Sequence, residues 1–233
     1  MVQSTPRDRA LGGAAGLAVL AGALVMLVAL VALPGSWLAG YVSEAGVAGR
    51  PFAVAYRCGL ILLALGAALL ATALRRVPAV GALLGSAAVL AATSGAVPCS
   101  SGCPLPPFEP TTTADVVHAA ASIVGMVALA AAMAAVALAA GLRPVLRRLA
   151  FGAVALTVPL GGFLGLIMLF VGRGDLGAWL ERLLLVVAVS WLVGTSFLTS
   201  VGAPVLTPRQ WSAAPRRSSW GTALDHWPRR RDP

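Results

Sequence analysis

Six stretches of mostly apolar residues decide what this chain can be. They run approximately 11–33, 54–74, 77–97, 114–141, 150–171 and 179–202. A helix needs roughly 20 such residues to cross a hydrocarbon core of about 30 Å. In that medium every backbone N–H and C=O must be paired inside the protein, and a helix does this within one segment. The expectation is an all-α, polytopic membrane protein, a bundle of six transmembrane helices. Composition agrees, since 59% of the 233 residues are hydrophobic and 11% are charged, too few polar side chains to clothe a water-soluble domain. Only "RRVP" separates the second and third stretches. Arg75 and Arg76 can close one helix there, and Pro78 suits the first turn of the next.

Charge placement predicts orientation. All 17 basic residues are arginine, and with abundant Ala and Gly this is the composition expected of a GC-rich bacterial genome. Thirteen arginines fall on one side of the expected membrane and four on the other, Arg50, Arg57, Arg173 and Arg182. By the positive-inside rule both termini face the cytoplasm of a bacterial plasma membrane. The net charge of +9 lies between the spans and in the tails, so it points to lipid phosphates and topology and not to nucleic acid. Arg7 and Arg9 before the first stretch, with "VALPGS" after it, resemble the flanks of a signal peptide. The apolar run exceeds the roughly 7–15 residues of a signal core, so an uncleaved helix is expected.

The division is a cytoplasmic segment 1–10, a six-span domain 11–202 and a basic cytoplasmic tail 203–233. The tail lacks helical periodicity and reads as solvated and disordered. A sharper alternative lays its arginine pairs and Trp211, Trp220 and Trp227 on the anionic inner leaflet. His226, also there, has no evident role. Within the spans, Gly12 with Gly16, Gly81 with Gly85 and Gly161 with Gly165 form G-x-x-x-G pairs, read as packing faces. A homo-oligomer is compatible with such faces and is not required by them. In "VPLGGFLG", Pro159 removes one backbone hydrogen bond, and a kink is expected there.

Candidate chemistry gathers at the outer end. The first outer loop carries Ser43 and Glu44 in "YVSEAG", the second helix opens near Arg57, and the sixth opens near Glu181 and Arg182. The fourth opens on "TTTADVVHAAAS". There Thr112 and Asp115 have capping-box spacing, and an acid suits the first turn of a helix. His118 has no such explanation. It shares a helix face with Asp115, Ser122 and Gly125, and contact with Asp115 would orient its imidazole. Ionisable groups at membrane depth usually face the bundle interior and pair.

Three uses of this cluster stay open. It can fasten helix ends, bind a lipid headgroup or small ligand, or catalyse. Ser43, His118 and a carboxylate supply the residue types of a hydrolase, but no nucleophile-elbow motif surrounds Ser43. His118 with Glu44, Asp115 and Glu181 supplies metal-ligand types, yet no paired-His or Cys/His spacing supports a site, and no metal or cofactor is expected. In "VPCSSGCPLPPFEP", on the oxidising side, Cys99 and Cys103 are expected to form a disulfide that shapes the loop. Free thiols are the alternative, and Cys58 is a competing partner.

"YVSEAG", Arg57, "ADVVH" and "LERL", in this order and at these places relative to the spans, resemble a bacterial six-span family catalogued as domain of unknown function 998. That family is considered akin to the Frag/DRAM/Sfk membrane proteins. The resemblance covers roughly residues 10–202. It implies a six-helix bundle with shared polar residues on the outer side, here Ser43, Glu44, Arg57, Asp115, His118, Glu181 and Arg182. Ala45 stands where a bulkier apolar residue is expected. The family has no assigned activity, so the resemblance implies fold and location only. The leading expectation is a non-enzymatic protein whose partners are membrane lipids, with an outer polar cluster that binds a headgroup or small ligand. The alternatives are a membrane-embedded hydrolase or lipid-remodelling enzyme using His118 with Asp115 or Glu181, and a small oligomeric transporter. Against transport, no charge is securely mid-membrane and no inverted repeat is clear.

Overall fold

The computed structural model describes residues 5–32, 40–106 and 108–201, and the tail with its tryptophans and His226 lies outside them. Six long helices and one short 3-10 turn make up the described chain: α1 (Pro6–Val31), the turn Val42–Gly46, α2 (Ala53–Ala73), α3 (Pro78–Ala96), α4 (Thr113–Leu138), α5 (Pro144–Phe170) and α6 (Asp175–Ser200). All six helices are long and apolar enough to cross a membrane. Consecutive helices pack side by side and α6 closes back on α1, forming a ring.

Inside the ring, Val19, Leu70, Leu84, Met133, Val136 and Trp191 form a fully buried core. Large apolar side chains such as Leu17, Leu24, Phe151, Phe163 and Val186 point outward and are exposed. In water such a girdle would drive aggregation, whereas acyl chains are as apolar as these side chains. The outside therefore costs nothing in lipid, and cohesion falls to close packing inside.

The closest approaches come from glycines outside the expected pairs. A Cβ on Gly22 of α1 would lie 2.5 Å from the Gly59 carbonyl oxygen of α2, and one on Gly66 would lie 3.0 Å from the Ala15 oxygen. Of the expected G-x-x-x-G faces, Gly12 and Gly16 do meet α6, at Ser196 and Thr199. Gly85 and Gly165 have nothing within 4 Å. Spacing on one helix does not say which way that helix is turned. Helix α5 runs unbroken through Pro159.

Several helices extend beyond their apolar runs. Thr5 caps α1 through a capping box with Asp8, so the helix begins five residues before the apolar stretch. Pro144 opens α5 ahead of Arg147 and Arg148, and Asp175 opens α6. Apolar runs mark the hydrocarbon layer, while caps mark the helix, and the two boundaries differ. Arginines then satisfy the carbonyls left over at helix ends. Arg147 Nε donates to Ala137 O at the end of α4 (3.0 Å), and Arg143 Nη1 donates to Leu198 O at the end of α6 (2.8 Å).

Candidate functional site

At the end of the ring opposite the start of α1, three connections meet: residues 40–52, 97–112 and 171–174. Beneath them lies a cavity of about 90 Å³. Ser43, Asp115, His118 and Glu181 line it, together with Tyr41 and Arg173. Cys99 and Cys103 complete its polar wall, while Ala119, Ile123 and Met168 make an apolar one. A volume of this size holds a few waters or a phosphate-sized group, well short of the roughly 300 Å³ needed for a drug-sized ligand.

Asp115 is fully occupied as a fastener. Thr112 donates its N–H (2.8 Å) and hydroxyl (2.7 Å) to Oδ2, and Asp115 N–H returns a bond to Thr112 Oγ1 (3.2 Å). Ser100, in the loop before α4, donates its N–H to Oδ1 (2.6 Å) and its hydroxyl to Oδ2 (2.9 Å). The capping box of the sequence is present, and the same carboxylate ties down the cysteine loop.

His118 is not oriented by Asp115. Its Nδ1 lies 2.9 Å from Ser94 O and 2.9 Å from Val97 O, at the end of α3, and 3.3 Å from Ser94 Oγ. Carbonyl oxygens only accept, so Nδ1 must carry hydrogen, and in the neutral ring the lone pair belongs to Nε2. Among the described residues Nε2 has no hydrogen-bond partner. The small-polar stripe continues below, where Ser94 and Ser122 hydroxyls meet at 2.8 Å.

The other expected residues separate. Glu181 accepts from Val42 N–H at 2.6 Å, so α6 holds the 3-10 turn at the cavity wall. Glu44 closes that turn by accepting from Tyr41 N–H (3.0 Å). Arg57 is not at the cavity. It donates Nε to Gly95 O (2.9 Å) and Nη2 to Ala96 O (2.7 Å), capping α3. Arg182, buried, donates Nη1 to Gly40 O and Ala178 O, both at 2.9 Å. Ser43 lines the cavity, but no hydrogen bond joins it to His118 among the described residues.

Arg173 was not singled out in the sequence, and it is the hub of the rim. Its guanidinium pairs with Glu44 of the first connection and, at 3.8 Å, with Glu109 of the second. It also stands 5.0 Å over the Tyr41 ring, a cation–π contact. Burial, the largest influence, holds the Tyr41 phenol above its ordinary range, with Glu181 adding in the same direction and the Gly174 backbone opposing. The only signal for Arg173 was its place among four arginines on that side.

Cys99 and Cys103 are bonded through sulfur, with Cα atoms 5.0 Å apart, and Cys58 is free and exposed. A juxtaposition that the sequence did not suggest also appears: both sulfurs and a ring nitrogen of His118 lie within 4.8 Å of one another.

A family described as "Protein of unknown function (DUF998)" matches residues 14–198. The chain belongs to the DUF998 family. No curated protein and no solved structure matches it. The DUF998 match reaches into all six helices and includes every residue that lines the cavity, while the Thr5–Asp8 capping box and Gly12 lie before it. This DUF998 chain is thus a multi-pass, six-helix membrane protein whose family description carries no activity.

Proposed function

We propose that the protein resides in the bacterial plasma membrane with the cavity end outward, and that the cavity receives the polar headgroup of a membrane lipid. The arginine distribution supports the orientation, with both termini inside. One observation carries the ligand reading. The cavity wall passes from polar groups, the buried His118 and the half-buried Glu181, to Ile123, which is 54% exposed on the outside of the bundle. A small polar group can enter such a cavity while its acyl chains stay in the bilayer. Arg173 supplies a cation to the lining and Glu181 a carboxyl group. Asp115, Arg57 and Arg182 act as fasteners and take no part in binding.

Native mass spectrometry of the protein in mild detergent tests this. A stoichiometric lipid adduct is expected in wild type and is expected to weaken in Arg173→Gln and Glu181→Gln. Identical adduct-free spectra would leave the rim as fastening alone. A second reading, hydrolysis of a lipid ester, draws on Ser43 and His118 lining one cavity. It requires an activity that His118→Ala removes.

A further inference from the structure

We infer that Cys99, Cys103 and His118 form a redox-gated site for a thiophilic divalent cation of the zinc(II) class. The inference does not rest on the lipid reading, since it needs neither Arg173 nor the apolar wall.

The chemistry begins with the three donors. Two thiolates and an imidazole are a borderline-soft set suited to zinc, and three protein ligands leave a fourth position open. A tetrahedral ion about 2.3 Å from sulfur and about 2.0 Å from nitrogen needs its donors ~3.5–3.8 Å apart. A His118 ring nitrogen already lies within 4.8 Å of both sulfurs, and once their bond is cleaved the sulfurs must part from bonding distance to the ~3.8 Å of a tetrahedral site.

The surroundings are arranged as metal ligands require. A ligating histidine normally donates its other N–H to a carbonyl or carboxylate, which fixes tautomer and ring orientation. His118 does so through Nδ1, held by Ser94 O and Val97 O, leaving Nε2 as the donor. The residue is buried to more than nine-tenths, and Nε2 has no hydrogen-bond partner among the described residues. The loop bearing the sulfurs is positioned without their bond. Ser100, between the two cysteines, is held twice by Asp115, and Cys103 N–H donates to Ser100 O at 2.9 Å. Reduction therefore frees two donors on a loop still tied to the helix that carries the third. The open position would face the cavity, which both cysteines and His118 line.

The electron balance is simple. A dithiol gives two electrons and two protons to the Cys99–Cys103 bond and becomes a disulfide; a phosphine gives the two electrons and becomes a phosphine oxide, with one water supplying the oxide's oxygen and both thiol protons. The two protein thiols then bind M2+ and release two protons. With the sulfurs bonded to each other, neither is a thiolate and the site is closed.

The test uses full-length protein in detergent. After phosphine reduction and anaerobic removal of reductant, it is titrated with cobalt(II) as a spectroscopic substitute for zinc. One equivalent is expected to produce a thiolate-to-cobalt charge-transfer band with tetrahedral visible bands, and zinc(II) is expected to bleach both. Unreduced protein should give no such spectrum. Cys99→Ser and Cys103→Ser should lose the band, His118→Ala should weaken binding at least ~10-fold, and Cys58→Ser should retain it. The inference fails if reduced wild type shows no thiolate band while both loop thiols react with a sulfhydryl reagent. It fails equally if the band survives unchanged in His118→Ala or disappears in Cys58→Ser. Cysteine variants are checked for the wild-type helical spectrum, and His118→Ala supplies an independent arm that keeps both sulfurs.

Discussion

Ser100 and Asp115 are joined twice, through the serine N–H at 2.6 Å and its hydroxyl at 2.9 Å. The same carboxylate accepts from Thr112 to begin α4. One residue thereby starts a helix and pins the loop that carries Cys99 and Cys103. Asp115 is only 1% exposed, so bulk solvent scarcely reaches its oxygens. Asp115→Ala is expected to destabilise the fold by about 3 kcal/mol, combining a lost cap with lost hydrogen bonds to a charged group. Thr112→Ala should cost about 1 kcal/mol. Thermal unfolding in detergent, followed by tryptophan fluorescence, measures both. An unchanged midpoint in Asp115→Ala would remove the carboxylate from any structural role.

Arg57 caps α3 through two carbonyls and stays away from the cavity. Arg57→Gln is expected to lower stability by about 1–3 kcal/mol and to leave lipid adducts at wild-type occupancy in native mass spectra. Loss of the adduct in a folded Arg57→Gln protein would place this residue back among the binding groups.

Gly22 and Gly59 let α1 and α2 meet backbone to backbone. A methyl at Gly22 would have the Gly59 oxygen at 2.5 Å and the Leu63 nitrogen at 2.9 Å, and neither can rotate away. Gly22→Ala should therefore cost about 2–3 kcal/mol, in the range of core overpacking. Gly85→Ala, with nothing within 4 Å, should unfold together with wild type. Equal midpoints for the two variants would contradict the tight α1–α2 contact.

Arg173 bridges Glu44 and Glu109 and lies against the cysteine loop, where a Cβ on Gly102 would be 3.3 Å from its Nη1. It sits at the rim, so its ion pairs should contribute less than about 1 kcal/mol to stability. Its larger effect should be on access. In Arg173→Gln, after reduction, a maleimide is expected to reach Cys99 and Cys103 faster than in wild type, with the unfolding midpoint nearly unchanged. Equal labelling rates would show that Arg173 does not cover the cavity.

The six helices and the capping box of Thr112 and Asp115 could be read from the residues alone. Both are local properties: a run of apolar side chains must find lipid, and a cap acts across three residues. The expected facing of the bundle is likewise written in arginine placement. Packing of the helices against one another sets which way each one turns, and with it the destination of every polar group. Arg57 and His118 looked alike in the sequence, as ionisable residues near helix starts, yet one caps α3 and the other lines the cavity. The partners that separate them are backbone carbonyls, which every residue carries and which leave no mark in a sequence. The meeting of Cys99, Cys103 and His118 likewise depends on a loop folding back over the helix that follows it. That return is set by Ser100 reaching Asp115, a contact between residues whose spacing alone signals nothing.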